Sequence, residues 1–226
     1  MSKIKLAIFD LDGVITSTTN EHFHAWELVF RTHFNINIDP SLESYTKGVS
    51  RIESLNVICN QYGLALSEDE KIQLAIEKNN IYNEMISSFN SKKVLSGVQH
   101  LLSYLKSHDI KLALGSASKN GKALLKLLDL EGYFDYIVDP TNLKSKPSPD
   151  IFNNAKNYFG FRSDQCIGIE DALSGIKAIK AAEMFAIGVG NEKLSDADIY
   201  VETLPQLNDS ILDKIIEGKF KDEHSN

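Results

Sequence analysis

Two aspartates stand two positions apart in the stretch FDLDGVITST, residues 9–18, which leaves the apolar run LAIF at 6–9. Side chains at i and i+2 of extended chain point to the same side, so Asp10 and Asp12 crowd each other. Their repulsion is about 1 kcal/mol in water and about 4 kcal/mol at an effective dielectric of 20. An ordinary Asp-Gly turn would explain the pair if it stood alone. A second apolar run, CIGI at 166–169, also ends in two acids, Glu170 and Asp171, followed by small residues and a helical pattern. Parallel strands bring their carboxyl ends to one edge, so Asp10, Asp12, Glu170 and Asp171 would converge there. A hard divalent cation removes that repulsion. Mg²⁺ favours oxygen ligands, with one or two carboxylates and the oxygens of a substrate phosphate.

Two further connections fit a phosphorylated ligand. GSASKN at 115–120 offers the hydroxyls of Ser116 and Ser118. Its small residues let backbone N–H groups approach an anion at the start of a helix. Such serine-rich junctions also serve simply as helix caps. In KSKPSPDIF at 144–152, Ser148 reads as an N-cap and Pro149 as the first helical residue. Lys146 precedes them on a stiffened segment. A lysine before a helix is ordinarily solvated, but here it lies where the loops of a parallel sheet gather. A fixed cation among carboxylates suits a transferring phosphoryl group.

The elements that must position these groups follow from periodicity. LAIF (6–9), LALG (112–115), YIVD (136–139), CIGI (166–169) and FAIGVG (185–190) are short continuous apolar runs, as in strands buried on both faces of a parallel sheet, and IYV (199–201) adds a last one. Helical patterns separate most of them, with Val98, Leu101, Leu102 and Leu105 on one face of GVQHLLSYLKSH. This alternation predicts an α/β fold, a Rossmann-like doubly wound parallel-sheet core. Between the first strand and Leu95 there is no strand signal. Phe23, Trp26, Phe30 and Phe34 fall at helical spacing, and SRIE (50–53) and SEDE (67–70) are capping boxes. The expected organisation is a core of residues 1–15 and 92–226 with an inserted all-helical cap domain at 16–91. The charged tail, 218–226, is expected to fray.

A net charge of −7 argues against general nucleic-acid binding or attachment to anionic membranes, although a local basic pocket can still take a small phosphorylated ligand. Cys59 and Cys166 each sit in an apolar stretch without metal spacing and read as buried, reduced thiols. With no signal peptide or membrane-span pattern, the expected setting is cytoplasmic and the expected state a monomer.

In this order, the DLDG, SAS, KSKPSPD and IED segments resemble the four motifs of the haloacid dehalogenase superfamily of phosphotransferases, over essentially the whole chain. The resemblance implies that Asp10 is the nucleophile and Asp12 the general acid/base, with Ser116 and Lys146 balancing transition-state charge. It also implies Mg²⁺ held at Asp10, Asp12, Glu170 and Asp171. Dehalogenases proper lack the second aspartate, so Asp12 points to phosphoryl transfer. The segments EHFHAW, KGVSR and EKNNIY are similar to the cap of the superfamily's sugar-phosphate mutases. That likeness implies substrate contacts at His22, Trp26, Lys47, Gly48, Val49, Ser50, Arg51, Ser54, Lys78, Ser116, Ala117 and Asn120. It implies interconversion of β-D-glucose 1-phosphate and D-glucose 6-phosphate through β-D-glucose 1,6-bisphosphate. The hydroxyls of residues 16–19, Thr16 above all, would form the hinge to the cap. Ser17 departs from relatives, which often carry aspartate there. A sugar-phosphate phosphatase, or a non-catalytic sugar-phosphate-binding module, would use the same fold.

Overall fold

The computed structural model of the protein describes residues 3–190 and 194–220. Six parallel strands make one sheet: β1 (Leu6–Phe9), β2 (Lys111–Leu114), β3 (Tyr136–Ile137), β4 (Cys166–Glu170), β5 (Phe185–Val189) and β6 (Ile199–Val201), in the order β3-β2-β1-β4-β5-β6. The chain starts in the middle, builds out to one side through β2 and β3, then returns to the other side of β1 with β4. Alternate residues of β1 feed opposite faces. Ala7 and Phe9 pack in one core cluster and Leu6 and Ile8 in another, which is why the run is continuously apolar.

The strands fall on the apolar runs, with one shortened. YIVD forms only the two-residue edge strand β3, because the Asp139 carboxylate accepts from the Thr141 N–H at 2.9 Å and turns the chain.

Between β1 and Val94 lie four helices, α1 (Thr19–Phe34), α2 (Glu43–Thr46), α3 (Arg51–Gln61) and α4 (Glu68–Ile86). Ser50 and Ser67 cap α3 and α4 through reciprocal bonds with Glu53 and Glu70. Trp26, Val29 and Phe30 of α1 meet Leu55, Ile58 and Leu74 in a cluster separate from those of the sheet. The chain enters this helical segment at Thr16 and leaves it at Val94, and these two residues pair in an antiparallel bridge. The Leu95 N–H donates to the Ile15 carbonyl at 2.9 Å, and the Thr16 hydroxyl to the Lys93 carbonyl at 2.8 Å.

Helices α5 (Val98–Ser107), α6 (Gly121–Leu127), α7 (Asp150–Phe159), α8 (Leu173–Ala181) and α9 (Asp209–Ile216) cover the sheet. Helix α7 starts one residue later than the sequence implies: Pro149 is the N-cap, while the Ser148 hydroxyl donates to the Asp150 carboxylate at 2.6 Å. Toward the end of the described residues, the Phe220 ring packs edge-on against Phe185, 6.0 Å between centroids. Residues 221–226 of the expected tail lie outside the described residues. Both cysteines are buried free thiols. Among the described residues, no helix is long and apolar enough to cross a membrane.

Candidate active site

Register places the acids. Phe9 lies level with Leu114 on one side and Ile169 on the other, so Asp10, the loop after β2 and Glu170 leave the sheet together. The Asp10 N–H donates to the Ile169 carbonyl at 2.9 Å and the Gly115 N–H to the Phe9 carbonyl at 2.8 Å. This is the carboxyl edge, beside the strand where the winding reverses, the usual ligand crevice of such sheets.

Lys146 is the pivot of the cluster. It is 1% exposed, and its ammonium donates to Asp10 Oδ1 and Glu170 Oε1, each at 2.5 Å. Burial alone would lower its pKa, but Asp10 and Glu170 outweigh it and hold the lysine charged, above its ordinary range. The other Glu170 oxygen accepts from the N–H groups of Asp171 and Ala172, at 2.8 and 2.9 Å.

Asp10, Glu170 and Asp171 can each present an oxygen within 4.8 Å of the others. An all-carboxylate, buried donor set of this kind fits a hard divalent cation. Burial, then the charges of Glu170 and Asp10, push Asp171 up to about 8 against the pull of Lys47. Gly13, at φ +82°, passes so close that an added Cβ would lie 1.6 Å from Asp171 Oδ2.

The Asp12 carboxylate stands outside this set. The turn after β1, with the N–H groups of Ile15 and Thr16 both donating to the Leu11 carbonyl, carries it toward the helical segment. There it accepts from the Thr18 hydroxyl, which in turn accepts from Tyr82 at 3.2 Å. Three carboxylates, not four, therefore converge as side-chain donors. Burial and then the Asp10 charge raise Asp12 to about 7, while Thr18 and Lys78 pull the other way. That is the range in which a carboxyl can both give and take a proton at neutral pH.

His22 reaches Asp12 at 3.8 Å and stacks on Tyr82, with 3.9 Å between centroids. Burial first, then the cations Lys78 and Arg51, keep its ring neutral. Lys78, 2% exposed, lies 2.5 Å from His22 Nδ1, over the rings of Trp26 and Tyr82 at 5.6 and 4.9 Å. Burial brings it down to about 7, helped by Arg51 and opposed by Asp12.

The loop before α3 closes the site from above. Lys47 forms an ion pair with Asp171 at 2.8 Å, and Gly48 (φ +74°) packs against Ala172 and Ser174. Ser174 Oγ is buried there and is the one such side-chain atom without a partner among the described residues. What remains is a cavity of about 90 Å³ between Asp10, Asp12 and Asp171 below and Lys47, Arg51 and Lys78 above. Ligand sites commonly measure roughly 300–1,000 Å³, so this cavity is narrow for a ligand site.

Of the residues expected from the sequence, His22, Trp26, Lys47, Gly48, Val49, Arg51, Ser54, Lys78, Ser116 and Ala117 line this cavity. Ser50 does not; its N–H and hydroxyl both bond Glu53 in the helix cap. Asn120 stands behind the wall, donating to Asn79 at 2.9 Å. Thr16 sits at the crossing into the helical segment, and Ser17 beside it is exposed. Phe23, Asn79 and Tyr82 fall inside the EHFHAW and EKNNIY segments and Thr18 among the hinge hydroxyls, without being singled out for the site, and Thr46 lies outside every quoted segment. Tyr82 alone could have been found locally, because four residues after Lys78 it must share that helix face.

A family profile described as haloacid dehalogenase-like hydrolase matches residues 4–183, and the chain belongs to that family. It is 40% identical over 213 residues to β-phosphoglucomutase of Bacillus subtilis (strain 168), spanning 92% of this chain and 94% of that protein. A crystal structure of β-phosphoglucomutase from Clostridium difficile superimposes with a TM-score of 0.91 at 39% identity, covering 96% of this chain and 98% of the other. Similarity extends to phosphatases: the phosphorylated carbohydrates phosphatase of Thermotoga maritima is 29% identical over 203 residues, 88% of this chain and 91% of that protein.

Proposed function

We propose that this chain is a phosphomutase that interconverts β-D-glucose 1-phosphate and D-glucose 6-phosphate through β-D-glucose 1,6-bisphosphate. One observation carries the reading beyond simple phosphate hydrolysis. The phosphoryl-transfer acids lie under a loop that pairs Lys47 with Asp171 and brings two further cations, Arg51 and Lys78, to the same small cavity. A hydrolase must admit water to its intermediate; a mutase must exclude it and hold a second phosphate.

Asp10 attacks the phosphoryl group and forms an aspartyl-phosphate, while Asp12 gives a proton to the departing sugar oxygen. In the return transfer Asp12 takes the proton of the attacking hydroxyl, help typically worth roughly 10²–10⁴-fold. Lys146 and Ser116 face the charge that spreads over the transferring group. Mg²⁺, held by Asp10 and Asp171 with Glu170 alongside, would screen the phosphoryl oxygens from the carboxylates. Neutral His22, tied to Lys78, keeps Asp12 facing the sugar, Trp26 walls the pocket, and Arg51 grips the phosphate not in transfer. The enzyme works as a cytoplasmic monomer.

The test is a coupled assay on pure protein with Mg²⁺, β-glucose 1-phosphate and a trace of the bisphosphate, following glucose 6-phosphate and free phosphate separately. Glucose 6-phosphate should dominate and should require the bisphosphate. Free phosphate as the main product would overturn the mutase reading in favour of a phosphatase; no product at all would leave only a binding module. Asp10→Asn should abolish both outputs.

A further inference from the structure

We propose that Asn79 is a positioning residue, whose side-chain carbonyl ties Asn120 of the sheet domain to Arg51 of the helical segment and so sets Arg51 toward the phosphate that is not being transferred. The proposal rests on the phosphomutase reading for the identity of that phosphate. Asn79 follows Lys78 on α4. Its Oδ1 accepts from Arg51 Nη2 at 2.6 Å and from Asn120 Nδ2 at 2.9 Å. Arg51 opens α3 and Asn120 is the residue before α6, so one oxygen gathers donors from both sides of the closing seam.

The chemistry fixes which way both amides face. A guanidinium has only donors, so Asn79 must turn its oxygen to Arg51, and Asn120 must then offer its NH₂ group. Arg51 also donates Nη1 to the Ala75 carbonyl at 3.3 Å. Two ends of the fork are thereby tied to α4, while the side chain still lines the cavity.

The choice of a neutral acceptor matters. Among the described residues, Arg51 makes no ion pair, and the nearby acid Glu53 is held by Ser50 in the helix cap. A half-buried guanidinium ordered by neutral oxygens keeps its whole charge for an incoming dianion. An aspartate at position 79 would order it equally well and spend that charge. Because Asn120 joins the same oxygen, closing of the segment and alignment of Arg51 become one event.

The experiment measures KM and kcat for β-glucose 1,6-bisphosphate and β-glucose 1-phosphate in the parent, Asn79→Ala, Asn79→Asp, Arg51→Ala and Arg51→Ala/Asn79→Ala. Loss of a hydrogen bond to a charged group predicts that KM rises roughly 10-fold or more in Asn79→Ala while kcat stays within about 2-fold. Asn79→Asp should raise KM further, because its carboxylate neutralises Arg51 and repels the phosphate. The double variant should be no worse than Arg51→Ala alone, since Asn79 acts through Arg51. A fall in kcat at unchanged KM, an Asn79→Asp variant that behaves like the parent, or additive effects with Arg51→Ala would overturn the proposal. Should Asn79→Ala fail to fold, Asn79→Leu, close in volume and without an acceptor, carries the same comparison. The mutase reading fails separately: if the parent protein only releases phosphate, the same KM pattern is read from hydrolysis of the bisphosphate.

Discussion

Replacing Lys78 with methionine isolates the cost of holding a cation inside the closed segment. The folded protein lowers Lys78 from 10.5 to about 7, through burial first and Arg51 second. The unfolded chain therefore binds that proton more tightly, and stability is lost as pH falls from 10.5 to about 7, with no further loss below. At 1.36 kcal/mol per pH unit, the interval sets a ceiling of about 5 kcal/mol. Methionine keeps the apolar stem but gives up the cation–π contacts with Trp26 and Tyr82 and the contact with His22 Nδ1, so part of the gain is returned. We expect metal-free, substrate-free Lys78→Met to exceed the parent by about 1–3 kcal/mol at pH 6.5–7, with the difference vanishing near pH 10.5. Urea unfolding followed by fluorescence suits the measurement, since Trp26 is the sole tryptophan and lies beside Lys78. Asp12→Asn supplies the mirror image. Asp12 is raised from 3.8 to about 7, so its cost is absent below 3.8, grows as pH rises and levels off above about 7. The reasoning is refuted if Lys78→Met is less stable than the parent at pH 6.5–7, or if its advantage does not change with pH.

Gly13→Ala should cost several kcal/mol and lower divalent-cation affinity at least 10-fold by titration calorimetry, because its Cβ would collide with Asp171 and strain a φ of +82°. Lys146→Met should destabilise the metal-free protein by about 3–5 kcal/mol in urea, since Asp10 and Glu170 lose a shared buried partner. Adding Mg²⁺ should recover part of that stability but not the activity. Ser174→Ala removes a hydroxyl that is buried without a partner under Gly48, so it should favour the closed arrangement by about 1–3 kcal/mol. It should appear as slower dissociation of glucose 6-phosphate in stopped-flow fluorescence.

What could be read from the sequence is what local chemistry dictates. LAIF and CIGI are continuously apolar because both faces of β1 and β4 are covered, and strands so buried admit no other pattern. Ser50 with Glu53 and Ser67 with Glu70 announce α3 and α4 because a cap is satisfied within four residues. The acids of the cluster could be placed together because a parallel sheet aligns its strand ends. The direction of Asp12 could not be read. It is set by Thr18 and, beyond it, Tyr82, which lies 64 residues from Thr18 in the chain. Arg51 could be named only through the likeness of KGVSR to mutase caps, and its partner could not: the nearby Glu53 serves the cap, and the contact goes instead to Asn79 on another helix. The end of β3 was missed because one side chain, Asp139, outweighs the apolar run that leads to it.

The pairing of Thr16 with Val94 has a consequence for how such an enzyme can change over generations. The helical segment leaves and rejoins the sheet domain at neighbouring points, held by a few backbone bonds, so its residues can diverge without moving Asp10, Lys146 or Asp171. On the proposed function, the sheet domain carries Asp10 and Lys146 while the segment supplies Arg51 and Lys78 to the same cavity. A chain divided in this way leaves the segment open to change on its own, and the proteins similar to it include both a mutase and a phosphatase.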